Sequence, residues 1–202
     1  MKLYYSPGAC SMASHIVLHE IGKPFEIEKV DGATKKTERG EDFKSINSKG
    51  AVPALEISKG EVLTEGAAIL QYIADTNGAL ELAPKTGTLE RARVQEMLNF
   101  TSSELHKAFG PLFNDKATDA EKSAALKLIG NKFDWLESRL SDGRHFLTGK
   151  HFTVADAYAF VISNWANFKA ISLAPWPHLK AFVERVGARP SVHSAMKAEG
   201  LI

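Results

Sequence analysis

The sequence predicts an α+β protein in which a βαβ-ββα domain with a mixed four-stranded sheet precedes an all-helical domain. Short apolar runs with strand-like alternation occur only in the first third of the chain. Apolar residues at helical spacing dominate the rest, and residues 77–88, with their Asn-Gly pair, Pro and Gly, break both patterns. We therefore predict domains at 1–78 and 88–202, joined by a linker at about 79–87.

Composition limits the classes of partner. The chain has 202 residues, 44% of them hydrophobic, and a net charge of +1, and it is long enough for one large domain or two small ones. A near-neutral chain lacks the basic excess that binds nucleic acid or an anionic membrane, so we expect neither partner. No apolar run approaches the roughly 20 residues of a membrane span, and no signal-peptide pattern is present. A single cysteine cannot form an internal disulfide, which fits a cytoplasmic protein.

The first strand leads into a turn that carries the only cysteine. Residues 3–5 are an apolar run, Pro7 and Gly8 are turn formers, and helical spacing follows. This order places Cys10 and Ser11 at a helix start, where free N–H groups and the helix dipole favour an anion. A thiol at such a place has a lowered pKa. The alternative interpretation of Cys10 is a small buried hydrophobe.

The other elements of the first domain follow in order. They are a half-exposed strand at 25–28, a polar segment at 31–50 with one helical turn near 42–46, strands at 50–57 and 62–63 around a hairpin turn, and a helix opening at Thr64-Glu65-Gly66. Pro53 cannot donate to a sheet, so it stands at the first residue of its strand or at an edge, and its peptide bond is a candidate for cis.

The second domain begins with two long helical segments. Residues 89–109 form the first, which Gly110-Pro111 bends or ends. Within it, Asn99, Ser103 and His106 stand at i, i+4 and i+7 and so form one polar stripe, which on a solvated face needs no function. Residues 119–140 form the second, with one apolar stripe made of Leu126, Ile129, Phe133, Leu136 and Leu140.

Three more helices complete the prediction. Thr153 and Asp156 resemble a helix-capping box, with Asp in the place usually held by Glu or Gln, ahead of an apolar helix through Trp165. Pro177 stands where a helix can begin, and Arg189-Pro190 separate that helix from a last one at 191–199.

Metal and nucleotide chemistry have no support. His15 and His19 stand four residues apart on the first helix, but no third ligand is evident and no Glu follows His15. We therefore predict surface or packing histidines and no metal. Neither glycine-rich phosphate-binding motif is present, which argues against a nucleotide cofactor.

Together the motifs resemble a cytosolic glutathione transferase, most closely of the bacterial beta class, and the likeness spans the whole chain. The first domain resembles a thioredoxin fold. The carrying motifs are Pro7-Gly8-Ala9-Cys10-Ser11, Val52-Pro53, Thr64-Glu65-Gly66-Ala67-Ala68-Ile69, Ser103-Glu104-Leu105-His106-Lys107 and Phe152-Thr153-Val154-Ala155-Asp156-Ala157-Tyr158. Each motif is weak alone, and their order and spacing make the match specific.

The resemblance implies a glutathione site. Its residues are Ala9, Cys10, Lys35, Val52, Pro53, Glu65, Gly66, Asn99, Ser103, Glu104, His106 and Lys107. In the family the Val–Pro bond is cis and turns the Val52 backbone toward the cysteinyl part of the tripeptide. Glu65 and the helix start at Gly66 hold the γ-glutamyl end, and Lys35 pairs with the glycyl carboxylate. Ser103 and Glu104 correspond to residues that reach the partner subunit's site in homodimers.

The resemblance also implies catalytic roles. Cys10 matches the beta-class cysteine, which forms a mixed disulfide with glutathione, and His106 approaches the tripeptide and the electrophile. Hydroxyls of Tyr5 or Ser11 are the alternative activators of the glutathione thiol. A dithiol mechanism would need a second cysteine where Ala13 stands, so Cys10 can act only as a monothiol.

Two further groups complete the implied site. Phe109, Phe113 and Trp165 match the wall of the electrophile pocket, although a core tryptophan is an alternative for Trp165. Thr153 and Asp156 form a structural cap.

Three functions follow. The first is a homodimeric glutathione transferase that conjugates glutathione, its cosubstrate, to hydrophobic electrophiles. The second is a glutathione-dependent monothiol disulfide reductase or peroxidase that acts through Cys10. The third is a non-catalytic ligand-binding module of the same fold, because a fold alone does not fix a function.

Overall fold

The computed structural model describes residues 1–202 and divides into two compact units. The first consists of Met1–Ala83 together with Ala188–Ile202, and the second of Pro84–Gly187. No helix combines the length and the apolar character needed to cross a membrane.

The first unit contains four strands and four helices. They are β1 (Lys2–Tyr5), α1 (Met12–Ile21), β2 (Glu26–Lys29), α2 (Phe43–Ile46), β3 (Ala54–Ser58), β4 (Glu61–Thr64), α3 (Gly66–Thr76) and α9 (Pro190–Ala198). The sheet order is β2-β1-β3-β4, with β1 parallel to β2 and antiparallel to β3. A parallel pair needs a crossover, which α1 provides, and the antiparallel pair β3–β4 needs only a short turn. The predicted mixed four-stranded sheet is confirmed.

Both faces of this sheet are covered. Alternation along the strands buries Leu3 and Leu55 on one face, and α1 and α3 contribute Ile16, Ile69 and Ile73 to the buried set. The other face buries Tyr4 and Ala54 with Val30 and Phe43, the last from α2. This packing fixes the end of β1, and with it the turn that carries Cys10.

The last helix belongs to the first unit, which differs from the predicted boundary at 88–202. Glu20 of α1 accepts hydrogen bonds from both Nε and Nη2 of Arg189, at 2.8 and 2.9 Å. The Ser191 hydroxyl donates to the same carboxylate at 2.5 Å. These bonds fasten α9 to α1, so residues 188–202 pack with the strands even though they follow the helical unit in sequence.

The second unit is all-helical. It contains α4 (Leu89–Phe100), a π-helix (Thr101–Leu105), α5 (His106–Ala108), a 3₁₀ turn (Gly110–Phe113), α6 (Asp119–Leu140), α7 (Val154–Phe168) and α8 (Pro177–Gly187). The residues of α7 from Val154 to Ala166 are all buried, so α7 forms the centre of this unit.

The apolar stripe of α6 differs from the prediction at its first residue, which is Ala125 and not Leu126. Ile129, Phe133, Leu136 and Leu140 are buried, but Leu126 is 46% exposed and Ala125 is buried in its place. On a helix of 100° per residue, Ala125 and Leu126 lie on opposite margins of the stripe, each roughly 50° from its centre, and it is the Ala125 margin that is buried.

The predicted long helix over 89–109 is interrupted by the π-helix at Thr101–Leu105. A π turn inserts one extra residue and redirects the side chains that follow it. The predicted polar stripe is therefore divided. Asn99 and Ser103 line a groove with residues of α6, whereas His106 contacts Tyr158 and Trp165 of α7.

Candidate functional site

The turn after β1 is held closed by Ser11. The hydroxyl of Ser11 accepts a hydrogen bond from the Ser6 N–H at 3.2 Å and donates to the Ser6 carbonyl at 3.3 Å. The Ala9 N–H also donates to the Ser6 carbonyl, at 3.1 Å. Because Ser11 is fully buried and both its bonds go to Ser6, this geometry favours a structural role over activation of a thiol.

Cys10 lies in this turn, before α1 begins at Met12, and its thiol is partly buried. The Sγ atom donates to the carbonyl of Val52 at 3.4 Å. Burial raises the pKa of Cys10 to about 11, although hydrogen bonds from the N–H groups of Cys10 and Ser11 act in the opposite direction. The predicted lowering of the pKa is therefore wrong, because desolvation outweighs the nearby N–H groups.

Tyr5 is also poorly suited to give up a proton. Its side chain lies in the core with 6% of its surface exposed. Burial raises the pKa of Tyr5, and the negative charges of Glu199 and Glu38 raise it further. At neutral pH this phenol is protonated, so it can act only as a neutral hydrogen-bonding group.

The predicted cis bond is present between Val52 and Pro53. Pro53 is buried directly before β3, which begins at Ala54 rather than at residue 50. Lys35, which has a φ of 57°, runs close to this segment, with its Cδ 3.8 Å from the position that a Cβ on Gly50 would occupy. The structure thus brings Cys10 and Val52 together, with the Lys35 stem near Gly50.

Glu65 occupies the N-cap position of α3 with an unusual backbone conformation. Its φ is 71°, in the left-handed region, where a non-glycine residue is strained. Its carboxylate caps nothing on α3, and its Oε1 instead pairs with Lys49 Nζ at 2.6 Å. Gly66 follows as the first residue of α3, where backbone N–H groups have no helical partner. The negative charge of Glu65 also contributes to the raised pKa of Cys10.

In the helical unit, His106 belongs to an aromatic cluster. Its Nδ1 is hydrogen-bonded to the hydroxyl of Tyr158 at 2.9 Å, and its ring meets Trp165 edge-on with centroids 4.9 Å apart. Burial lowers the pKa of His106, so the imidazole is neutral at pH 7. Lys107, the next residue, is exposed.

The three residues predicted for the electrophile pocket differ in exposure. Phe113 is 51% exposed and packs on Trp165 at 4.8 Å, with Lys169 Nζ 4.0 Å above its ring. Trp165 is 6% exposed. Phe109 is fully buried between Trp165 and Phe133, so the structure contradicts its assignment to a pocket wall and places it in the core.

Asn99, Ser103 and Glu104 line a shallow groove of about 610 Å³ on the surface of the helical unit. Ser103 Oγ donates to the Asn99 carbonyl at 2.8 Å, and Glu104 pairs with Lys132 at 2.5 Å. The floor includes Trp135, which is 41% exposed and stacks on Phe100 with centroids 4.3 Å apart.

The predicted cap of α7 is confirmed as a capping box. Asp156 is fully buried and accepts three hydrogen bonds, from the Leu147 N–H at 2.7 Å, the Thr153 N–H at 2.8 Å and the Thr153 hydroxyl at 2.7 Å. Burial raises the pKa of Asp156 to about 6, while these three bonds favour the charged form. The cap therefore joins the loop at Leu147 to the start of α7.

His15 and His19 stack on each other with centroids 5.0 Å apart, which is packing geometry. No group of three or more His, Cys, Asp or Glu side chains is arranged to hold a metal ion.

Several site residues carried no sequence signal of their role. Lys49, which pairs with Glu65, stands in a polar segment that looks like any solvated loop. Tyr158 and Lys169 adjoin His106 and Phe113 through contacts between segments far apart in sequence. Only a structure brings such pairs together.

Comparison with known proteins gives a consistent match. The model of the glutathione S-transferase N-terminal domain matches residues 8–76, and that of the C-terminal domain matches residues 100–190. The glutathione S-transferase GstA of Escherichia coli O157:H7 is 41% identical over 201 residues, which cover 100% of both chains. A sphingomonad glutathione S-transferase complexed with glutathione is 48% identical, with a TM-score of 0.95 and full coverage of both chains. The beta-class enzyme of Sphingomonas chungbukensis is also 48% identical, with a TM-score of 0.96 and the same coverage.

Proposed function

The chain belongs to the glutathione S-transferase family, and on that premise we propose that it conjugates the glutathione thiol to hydrophobic electrophiles. The observation that carries the proposal lies in the first unit. The Cys10 thiol is 3.4 Å from the Val52 carbonyl, at the cis Val52-Pro53 bond. The strained Glu65 is close enough to act on the pKa of Cys10. Cys10, Val52 and Glu65 are also residues that the family motifs assign to the tripeptide site, which supports the proposal.

We propose that glutathione binds along these segments. The Val52 backbone pairs with the cysteinyl residue, as an added strand would. The γ-glutamyl carboxylate is received by the N–H groups at the start of α3, where Gly66 stands, and its ammonium by Glu65. Lys35 takes the glycyl carboxylate. The exposed Lys49–Glu65 pair supports this assignment, since Glu65 already accepts an ammonium group at 2.6 Å.

In the conjugation step, the glutathione sulfur attacks an electrophilic carbon. The thiolate supplies the electron pair of the new S–C bond, a leaving group departs with the pair of the bond that breaks, and the thiol proton goes to solvent. The N–H groups of Cys10 and Ser11 already donate to a sulfur atom, and such donors stabilise a thiolate. The family resemblance assigns His106 a catalytic role, and a neutral imidazole can both donate and accept a hydrogen bond.

A second activity is favoured by the position of Cys10. In this reaction the Cys10 thiolate attacks the glutathione sulfur of a mixed disulfide between glutathione and another thiol, forms a Cys10–glutathione disulfide and releases the other thiol as a thiolate, which takes up a proton. A second glutathione then attacks the glutathione sulfur of the adduct, regenerating Cys10 and forming oxidised glutathione. The raised pKa of Cys10 makes its attack slow at neutral pH, so we rank conjugation first.

Replacing His106 with alanine tests the proposal. We expect kcat for conjugation of 1-chloro-2,4-dinitrobenzene to fall at least about tenfold, because a positioned acid–base group is lost. We expect the Kd for glutathione, measured by titration calorimetry, to change less than about twofold, because the tripeptide is held by the first unit.

The matched control is Tyr158→Phe, which keeps the ring beside His106 and removes only the hydroxyl bonded to it. Its loss of kcat should be smaller. Equal losses of turnover and affinity in His106→Ala would show that His106 only binds. A wild-type chain without saturable glutathione binding would overturn both activities and leave a non-catalytic module.

We also propose a cytoplasmic homodimer, in which Ser103 and Glu104 face the partner subunit's site. The lone cysteine supports a reducing compartment. The groove beside Ser103 and Glu104 exposes Trp135, an apolar surface of the kind that protein interfaces bury.

Light scattering is expected to give about 44 kDa, twice the chain mass of 22.1 kDa. Trp135→Glu, which puts a charge on this surface, should shift the wild-type value toward one chain mass. Trp176→Phe is the control, because Trp176 lies outside the groove and packs on Phe133. A wild-type protein of one chain mass at micromolar concentration would contradict the dimer.

A further inference from the structure

The turn that carries Cys10 is bound by a residue close to the other end of the chain. Glu199 follows the last helix, and its Oε2 accepts a hydrogen bond from the Gly8 N–H at 2.9 Å. The side chain of Glu199 is fully buried. Burying a carboxylate costs free energy unless the group is paired, so we expect the bond between Glu199 and Gly8 to have a structural or functional role.

The second oxygen of the same carboxylate is held as firmly. Oε1 lies 2.9 Å from Nδ1 of His15, which is 1% exposed. The His15 ring is itself fixed, because it stacks on His19 and meets Phe25 edge-on. Glu199 is therefore held to α1 through the bond between Oε1 and His15, and its other oxygen, Oε2, faces the turn at Gly8.

The backbone conformation of Gly8 allows the turn to reach Glu199. Its φ is 69°, a conformation that glycine adopts without strain. A Cβ at this position would lie 3.7 Å from Leu201, two residues beyond Glu199. The segment at Glu199 thus meets Gly8 through a hydrogen bond, and the Leu201 side chain lies on the side of Gly8 where a Cβ would stand.

We propose that Glu199 is a positioning residue, which through Gly8 sets the placement of the Cys10 thiol against Val52. Glu199 bonds to the turn two residues before Cys10 and does not bond to Cys10 itself. The inference deepens the proposed function, since it makes the geometry of the glutathione-binding turn depend on the C-terminal segment. The negative charge of Glu199, which also raises the pKa of Tyr5, supports its closeness to this region.

The chain offers a matched control. Glu20 also ties α1 to the C-terminal segment, through Arg189 and Ser191, but no hydrogen bond joins it to the turn. Glu199→Ala and Glu20→Ala each remove one buried or half-buried carboxylate between α1 and that segment. Glu199→Gln keeps an acceptor for Gly8 and offers a donor to the His15 ring, so it is the conservative variant.

The first readout needs no glutathione. We expect iodoacetamide to alkylate Cys10 at least about fivefold faster in Glu199→Ala than in wild type, because a released turn exposes a thiol that is now partly buried. Glu199→Gln should react at nearly the wild-type rate. Glu20→Ala should lower the urea midpoint and leave the alkylation rate unchanged.

The second readout is conjugation. Glu199→Ala should raise the KM for glutathione about tenfold and change kcat less, since the displaced turn weakens binding before it affects chemistry.

Equal alkylation rates in wild type and Glu199→Ala, or equal increases of that rate in Glu199→Ala and Glu20→Ala, would overturn the proposal. If wild type does not bind glutathione, the proposed function fails, but the alkylation rates still decide the role of Glu199. If Glu199→Ala does not fold, the alkylation rate of Cys10 in Glu199→Gln decides. A rate that differs from the wild-type rate by more than about fivefold overturns the claim that the hydrogen bonds of Glu199 fix the conformation of the turn.

Discussion

Cys10→Ala will abolish the mixed disulfide that the wild-type chain forms with oxidised glutathione. Cys10 is the only cysteine, so no other residue can replace it, and the expected loss is complete. Its thiol is partly buried beside Val52, where the cysteinyl part of the tripeptide is proposed to bind. The measurement is intact mass under non-reducing conditions after incubation with oxidised glutathione. Wild type should gain one glutathione, and a reductant should release it.

The rate of adduct formation gives a second check. Burial raises the pKa of Cys10 to about 11, so the reactive thiolate is a minor species at pH 7. Between pH 7 and 9 the rate should increase about tenfold per pH unit, with no plateau near the ordinary thiol pKa of about 8.5. Ser11→Ala should still form the glutathione adduct, because the Ser11 hydroxyl bonds only to the Ser6 backbone within the turn. A wild-type chain that forms no adduct would contradict the disulfide activity and leave conjugation through the thiol of glutathione itself.

The fold was predictable where the signals are local. Pro7 and Gly8 predict the turn after β1, and Gly110-Pro111 predict the end of a helical segment. Thr153 and Asp156 predict the start of α7. Each of these acts through the conformation of its own few residues, so the sequence alone reveals it. The cis bond at Val52-Pro53 was predicted from the family motif, and the structure confirms it.

What could not be predicted depends on contacts between distant segments. The pKa of Cys10 is raised by burial, in a place where its thiol contacts Val52, 42 residues away, and this outweighs the nearby N–H groups of Cys10 and Ser11. Phe109 belongs to the core because Phe133 and Trp165 enclose it. No hydrophobic pattern announces such partners, because periodicity shows which face is apolar and not what will cover it.

The site shows the same division. The sequence places Asn99, Ser103 and His106 on one stripe, but the π-helix between them sends His106 to α7 and the others to the groove beside α6. A π turn has no marker residue comparable to proline or glycine, so it is visible only in the backbone. The assignment of Glu199 likewise depends on its docking to Gly8 and His15.

The largest stability effect is expected from Asp156→Ala. This change leaves three buried donors without an acceptor, namely the N–H groups of Leu147 and Thr153 and the Thr153 hydroxyl. Each unsatisfied buried group costs about 1–3 kcal/mol, so for three groups the free energy of unfolding should fall by about 3–9 kcal/mol. Urea denaturation at pH 7.5 measures this, above the Asp156 pKa of about 6, where the carboxylate is ionised. If Asp156→Ala does not fold, Asp156→Asn, which retains one acceptor oxygen, should show an intermediate loss.

The second capping box of the chain is the matched control. Thr118 and Glu121 form the same pair of bonds at the start of α6, but both side chains are exposed to solvent. Water can replace the lost partner there, so Glu121→Ala should cost only about 0.5–2 kcal/mol. A comparable loss at both sites would mean that burial adds nothing to the cap of α7. A loss several times larger at Asp156 would show that this cap stabilises the helical unit through its bond to the loop at Leu147, beyond its effect on one helix end.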